Sequence, residues 1–282
     1  MSFRFKIATV NVVTACALVA TGCSSDTDYA ATSRNLPDPK QAIVAPEQVD
    51  VSAQSAASGE FFKKGQSLDL YVVMDKSYSL WESPEPFGGE GSDPSCLRLN
   101  ALLDLIDGLR EELFQKEEVR LNVITFGTFA SSLGTISDIL SVSRAELDQR
   151  LREPVCNKPN RANGNTFYSN ALNLISEELK IQRGLKKLDI ETAIFFSDGA
   201  ARDRDEAELK SAIEKFNESF PKRAYGVLLG KTLDKCNIKN DAGDRLSTFD
   251  CVAEVVGSDS SRVVQSENAA KLSETMIQLL KK

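Results

Sequence analysis

From residue 66 onward the chain alternates between two hydrophobic periodicities. The runs LDLYVVMD (68–75), VRLNVITF (119–126) and LDIETAIFFSDG (188–199) are nearly continuous in apolar residues, as strands buried on both faces are. Between the first two, Leu99, Leu102, Leu103, Ile106, Leu109 and Leu113 recur at threes and fours, which predicts a helix with one buried stripe. Ala171, Leu172, Ile175 and Leu179 form a similar stripe on a helix that Thr166 would open. SRAELDQRL (143–151) predicts a short helix, and 205–220 a longer one. AYGVLLG (224–230) and SRVVQ (261–265) read as strands, and SSLGTISD (131–138) as an edge strand or a loop. A short helix is expected near Val252 to Val256, and a last one capped by Ser266 with Leu272, Met276 and Leu279 inward. Strands alternating with helices imply one α/β domain, residues 62–282, with a mainly parallel central sheet and helices on both faces.

The first sixty residues carry no such pattern. MSFRFK is a short basic stretch, and IATVNVVTACALVATGC (7–23) is apolar but too short and rich in small residues for a comfortable transmembrane helix. It ends in VATGC, which resembles the lipobox of bacterial lipoproteins. That resemblance implies a signal peptide over 1–22 and Cys23 as the lipid-bearing (palmitoylated) residue. Ser24 after it implies passage to the outer membrane. Residues 23–61, with RNLPDPK and SAQSAASGE, hold too few apolar residues for a core and read as a disordered tether. A flexible chain of that length has a mean span on the order of 30–35 Å.

Composition narrows the chemistry. The net charge is −7 and no basic stripe is visible, which argues against nucleic acid as a partner. There is no histidine, so Ser-His-Asp and Cys-His catalysis are excluded, and so is the commonest transition-metal ligand. Any metal would be a hard cation on oxygens unless cysteines held it. Export would favour pairing of Cys96, Cys156, Cys236 and Cys251.

Three segments place oxygen-bearing side chains where strands should end. Asp75-x-Ser77-x-Ser79 leaves the first strand, NGNTFYSNAL (163–172) delivers Thr166 to a helix start, and FFSDGA (195–200) ends a strand in Asp198. In an open parallel sheet such positions gather at the carboxyl edge, where ligands bind. Two carboxylates and three hydroxyls suit a small hard cation, Mg²⁺ first, with Mn²⁺ and Ca²⁺ as alternatives. The hydroxyls would bind it directly and the acids would hold its waters.

These segments, in this order, resemble a von Willebrand factor A (vWA) domain with a metal-ion-dependent adhesion site, over roughly residues 66–282. LDLYVVMDKSYSLW is also similar to the start of this domain in anthrax-toxin-receptor-like proteins. The resemblance implies a Rossmann-like vWA fold, Ser77, Ser79 and Thr166 as direct ligands, and Asp75 and Asp198 acting through water. It also implies a partner protein whose carboxylate completes the metal's shell. Two departures stand out: Tyr78 occupies the place between the serines where the family often has glycine, and of the family's G-x-T-x-T-G loop only Thr166 matches, with Ser169 as the alternative ligand. Four cysteines allow three pairings, and proximity in the implied fold selects Cys96–Cys156 and Cys236–Cys251. A four-cysteine zinc site would want close C-x-x-C spacing, which is absent. The insertion WESPEPFGGEGSDPSC (81–96) leaves the chain beside the proposed metal, which makes Tyr78, Trp81 and Phe87 candidate partner contacts.

The expectation is therefore a non-enzymatic, lipid-anchored protein of the bacterial cell envelope that binds a protein partner through a divalent metal. Two rivals stand beside it. One is a structural envelope scaffold with a degenerate metal site. The other is a phosphotransferase, which would need an acid where Ser77 stands; a serine–lysine pair of Lys76 and Ser77 is awkward, because adjacent side chains leave a strand end in different directions.

Overall fold

The computed structural model describes residues 65–82, 91–112, 118–160, 164–230, 235–240 and 242–266, all within one compact unit. The expected signal peptide, Cys23, the tether, Phe87, Leu113 and the last helix lie outside the described residues.

β1 (Leu68–Asp75) is central, with every residue buried, and pairs in parallel with both β2 (Val119–Phe126) and β4 (Ile190–Ser197). β3 (Ala130–Ile136) is antiparallel to β2 at one edge; β5 (Ala224–Leu229) and β8 (Val263–Ser266) extend the other side in parallel. The order is β3-β2-β1-β4-β5-β8. The α/β expectation holds, and SSLGTISD is the edge strand, exposed along much of its length as an edge tolerates.

Alternation along β1 builds two cores. Leu68, Leu70, Val72 and Met74 face α1 (Leu97–Glu112) and α2 (Arg144–Cys156) in one cluster. Tyr71 and Val73 face α3 (Tyr168–Leu185), α4 (Glu206–Ser219) and α5 (Thr248–Val255) in the other. Each fully buried Leu, Val or Phe contributes about 1.5–3 kcal/mol, so apolar burial holds both faces of the sheet. α2 runs longer than the sequence suggests, continuing past Pro154 to Cys156, and Ser143 caps its start by accepting the Glu146 N–H. Gly226 lets α5 approach β5: a Cβ there would stand 2.5 Å from Val252 Cγ1.

Two disulfides tie peripheral segments to this frame, with the expected pairing. Cys96–Cys156 joins the segment before α1 to the end of α2. Cys236–Cys251 joins the small antiparallel sheet of β6 (Lys235–Lys239) and β7 (Arg245–Ser247) to α5. The sequence separations are 60 and 15 residues. In the chain-entropy treatment these correspond to about 4 and about 3 kcal/mol. Urea unfolding should therefore show the Cys96→Ala/Cys156→Ala protein losing more stability than Cys236→Ala/Cys251→Ala; equal midpoints for wild type and both variants would contradict this.

Candidate metal centre

The strand order reverses at β1: β2 lies on one side, β4 on the other. Asp75 ends β1 and Asp198 follows β4, so both acids sit at the carboxyl edge of adjacent strands, at the switch point. Asp75 is wholly buried; its Oδ1 accepts the Ser77 N–H at 2.6 Å and its Oδ2 the Ser197 hydroxyl at 2.6 Å. The turn after β1 then presents both serines to Asp198. Ser79 Oγ donates to Asp198 Oδ1 at 2.9 Å, Ser77 Oγ lies 3.3 Å from the same oxygen, and the two hydroxyls are 3.0 Å apart.

Thr166 comes from the loop before α3 rather than opening that helix, which starts two residues later. It belongs to the same cradle. A Cβ on Gly199 would lie 3.3 Å from Thr166 Oγ1 and 3.7 Å from Ser79 Oγ, so both hydroxyls face the space the glycine leaves open. Ser169, the alternative ligand, sits in the first turn of α3, where its N–H donates to Asp203 Oδ1 at 2.8 Å.

Asp203 escapes a sequence reading. Phe167, at the N-cap of α3, offers no capping side chain, and Asp203 supplies the cap from the segment after β4 by accepting the Tyr168 and Ser169 N–H groups. Arg202 N also donates to Thr166 O at 2.8 Å, locking the two loops together. Asn237 of β6 reaches this segment through Ala201 O and Asp203 O, so the Cys236–Cys251 excursion buttresses the Thr166 wall. On the opposite wall Ser92 Oγ donates to Asp198 Oδ2. Behind it Asp93 and Arg98 form a buried ion pair at 2.7 Å.

Tyr78, between the serines, sends its hydroxyl to Glu82, with Lys158 Nζ 5.0 Å from its ring centroid. It is half-buried, and its N–H donates to Gly164 O. Trp81 packs against the first core with the Arg98 guanidinium 5.4 Å over its ring, so much of the indole is already occupied by packing. On the β2 side a cavity of about 260 Å³ opens between Lys76, Phe126, Phe129 and Pro159, and Phe129 is 67% exposed.

The electrostatics are those of two acids confined together. Burial raises Asp75, and burial together with the Asp75 charge pushes Asp198 up to about 7. Arg98 is the internal positive charge that opposes both shifts. No group of three or more His, Cys, Asp or Glu side chains gathers among the described residues, so a metal here would rest on two acids and hydroxyls. That oxygen-only set fits a hard divalent ion, whose charge would offset two carboxylates confined away from water.

No protein-family model matches the sequence, and no curated protein matches it. Solved structures do. A von Willebrand factor type A protein from Catenulispora acidiphila superposes with a TM-score of 0.51 at 15% identity, over 77% of this chain and 42% of that one. The fold is that of a vWA domain. A mutant of the PilB minor pilin from Streptococcus sanguinis gives 0.50 at 13% identity, over 78% and 62% of the two chains. Proximal thread matrix protein 1 from the mussel byssus, with a zinc-occupied MIDAS motif, gives 0.50 at 15% identity, over 77% and 45%. This chain thus spans roughly half the length of these three proteins.

Two outcomes follow from this geometry. The folded, metal-free protein retains a proton on Asp198 that the unfolded chain gives up near 3.8, so stability falls as pH rises from 3.8 to about 7. The metal-free melting temperature should be lower at pH 8 than at pH 5.5, and Asp198→Asn should flatten that difference. Asp203→Ala leaves two helix N–H groups uncapped and should cost about 1–2 kcal/mol in urea unfolding, with the Tyr168 and Ser169 amides losing hydrogen-exchange protection.

Proposed function

We propose that this vWA domain is a recognition module that holds a divalent cation, Mg²⁺ foremost, with Asp75, Ser77, Ser79, Thr166 and Asp198, and binds a protein partner through it. Bound there, the cation supplies an electrophilic position that accepts a carboxylate from the partner. The observation that carries the reading is the convergence of three distant segments on one oxygen cradle, with Ser77, Ser79 and Asp198 in direct contact. The residues divide the work by burial. Asp75 lies deep and orients the turn through the Ser77 N–H, whereas the half-buried Ser79 and the Gly199 gap lie nearer the edge where a partner would arrive.

The surroundings support recognition rather than turnover. Ser77 occupies the place where a phosphotransferase would need its second acid. Tyr78 directs its hydroxyl to Glu82 and not to the acid pair. The exposed Phe129 and the adjacent cavity offer apolar surface for a partner beside the cation. In the wider reading Cys23 carries the lipid, and residues 23–61 tether the domain to the bacterial cell envelope, at the outer membrane. No helix among the described residues is long and apolar enough to cross a membrane.

Calorimetric titration of the domain with MgCl₂ tests the centre. Wild type should bind, and a hundredfold excess over Kd should add about 2.7 kcal/mol, raising the melting temperature by roughly 5–10 °C. Asp75→Ala and Ser77→Ala should lose the response while keeping their far-UV circular dichroism. An equal response in wild type and both variants, or none in wild type, would leave a scaffold without a working metal site as the better account.

A further inference from the structure

The closing residues of the 81–96 insertion, just before α1, do more than connect. Gly91, Ser92 and Asp93 run directly over the turn that carries the two serines. Gly91 N donates to Trp81 O at 3.0 Å, Ser92 N to Ser79 O at 3.2 Å, and Asp93 N to Leu80 O at 2.9 Å. The fit leaves no slack: a Cβ on Gly91 would lie 2.4 Å from Ser79 O and from the Leu80 carbonyl carbon. One residue on, Ser92 Oγ donates to Asp198 Oδ2. Asp93 then anchors the strap inward. Its carboxylate accepts the Leu97 N–H at 2.6 Å, the Arg98 N–H at 3.1 Å and the Arg98 guanidinium at 2.7 Å. Arg98, with none of its surface exposed, donates onward to Val155 O, and Cys96–Cys156 closes the same path covalently.

Asp198 is therefore gripped from two sides. Oδ1 meets the Ser77 and Ser79 hydroxyls, the face that would look toward a cation, and Oδ2 is held by Ser92. We propose that Ser92 is a positioning residue of the metal centre, fixing the Asp198 carboxylate so that Oδ1 alone is turned into the cradle. This rests on the metal-binding reading above and extends it to a residue outside the D-x-S-x-S turn, the Thr166 loop and the strand end. The physical ground is pre-organisation. A carboxylate with both oxygens constrained loses little freedom when an ion arrives, and a free one must be ordered at that moment. Hydrogen bonds that orient ligating carboxylates typically change metal affinity 10–100-fold when removed.

The test uses Ser92→Ala, which removes one exchangeable hydroxyl from a strap still held by its backbone bonds and the Asp93–Arg98 pair. MgCl₂ and MnCl₂ titrations by calorimetry are run on wild type, Ser92→Ala and Asp75→Ala, with metal-free melting temperatures measured alongside. Ser92→Ala should bind both ions about tenfold more weakly, while its metal-free melting temperature stays within about 2 °C of wild type, the size of a surface substitution. Unchanged or tightened affinity in Ser92→Ala, with binding lost in Asp75→Ala, would overturn the role of Ser92 and leave the metal centre standing. A metal-free melting temperature lowered as far as the metal-saturated one, at unchanged affinity, would make Ser92 structural only and equally overturn it. Absence of metal binding in wild type would overturn the underlying reading and this inference together.

Discussion

Two carboxylates, Asp75 and Asp198, are buried side by side at the carboxyl ends of adjacent parallel strands, and the rest of this domain is arranged around that confinement. Each raises the other's cost of ionising, because low-polarity surroundings penalise both charges and their fields reinforce. The protein answers with hydroxyl and amide donors. Ser77 N–H and Ser197 serve Asp75, while Ser79 and Ser92 serve Asp198. One internal cation, Arg98, lies close enough to lower both acids, yet its guanidinium is already committed to Asp93 and Val155 O. The pair is hydrogen-bonded, and in the metal-free protein the proton that Asp198 keeps up to about pH 7 relieves part of the repulsion. On the metal-binding proposal, a small divalent ion would supply the charge that this donor set can accept.

The cradle is made of loops, and loops need support if they are to hold four or five oxygens within tenths of an ångström. Each wall has a brace running into a disulfide. On one side the 91–93 strap passes through Asp93 and Arg98 to the end of α2, where Cys96–Cys156 joins the same two elements. On the other, the Thr166 loop is held by Arg202 N and Asp203, Asp203 by Asn237, and the strand carrying Asn237 by Cys236–Cys251. The two covalent links are thus distributed over both flanks of one site. That is the economy expected of a preformed binding surface, where ordering done at folding need not be repeated at binding.

The strands were legible because they are buried on both faces and so read as unbroken apolar runs; β1, β2 and β4 fall where LDLYVVMD, VRLNVITF and IETAIFFS stand. The stripe of Ala171, Leu172, Ile175 and Leu179 marked α3 for the same reason, since all four lie inside the second core. What failed was local inference where the partner is distant. Thr166 looked like a helix start, but α3 begins at Tyr168 because its cap comes from Asp203, thirty-five residues away in sequence. Ser92 sat in a stretch that reads as a polar insertion, and only the folded path of 91–93 across the serine turn gives it a role. Trp81, a candidate partner contact in the sequence, is half-buried and packs against the first core beneath Arg98, which the local sequence does not reveal.

The same pair of acids weighs on the choice between a recognition module and an inert scaffold. Replacing buried charged groups by well-packed neutral ones is often neutral or stabilising, since the desolvation cost disappears while packing survives. A scaffold that never met a cation would be better served by asparagine or an apolar residue at 198, with Ser79 and Ser92 then free to vary. Instead the chain keeps both carboxylates, orients them with at least four donors, and leaves the Gly199 gap open between Thr166 and Ser79. Such an arrangement costs stability in the metal-free state at neutral pH, a cost that the proposed divalent ion would offset. On the proposed metal-binding reading, the structural cost and the binding capacity would be one property of the same two carboxylates.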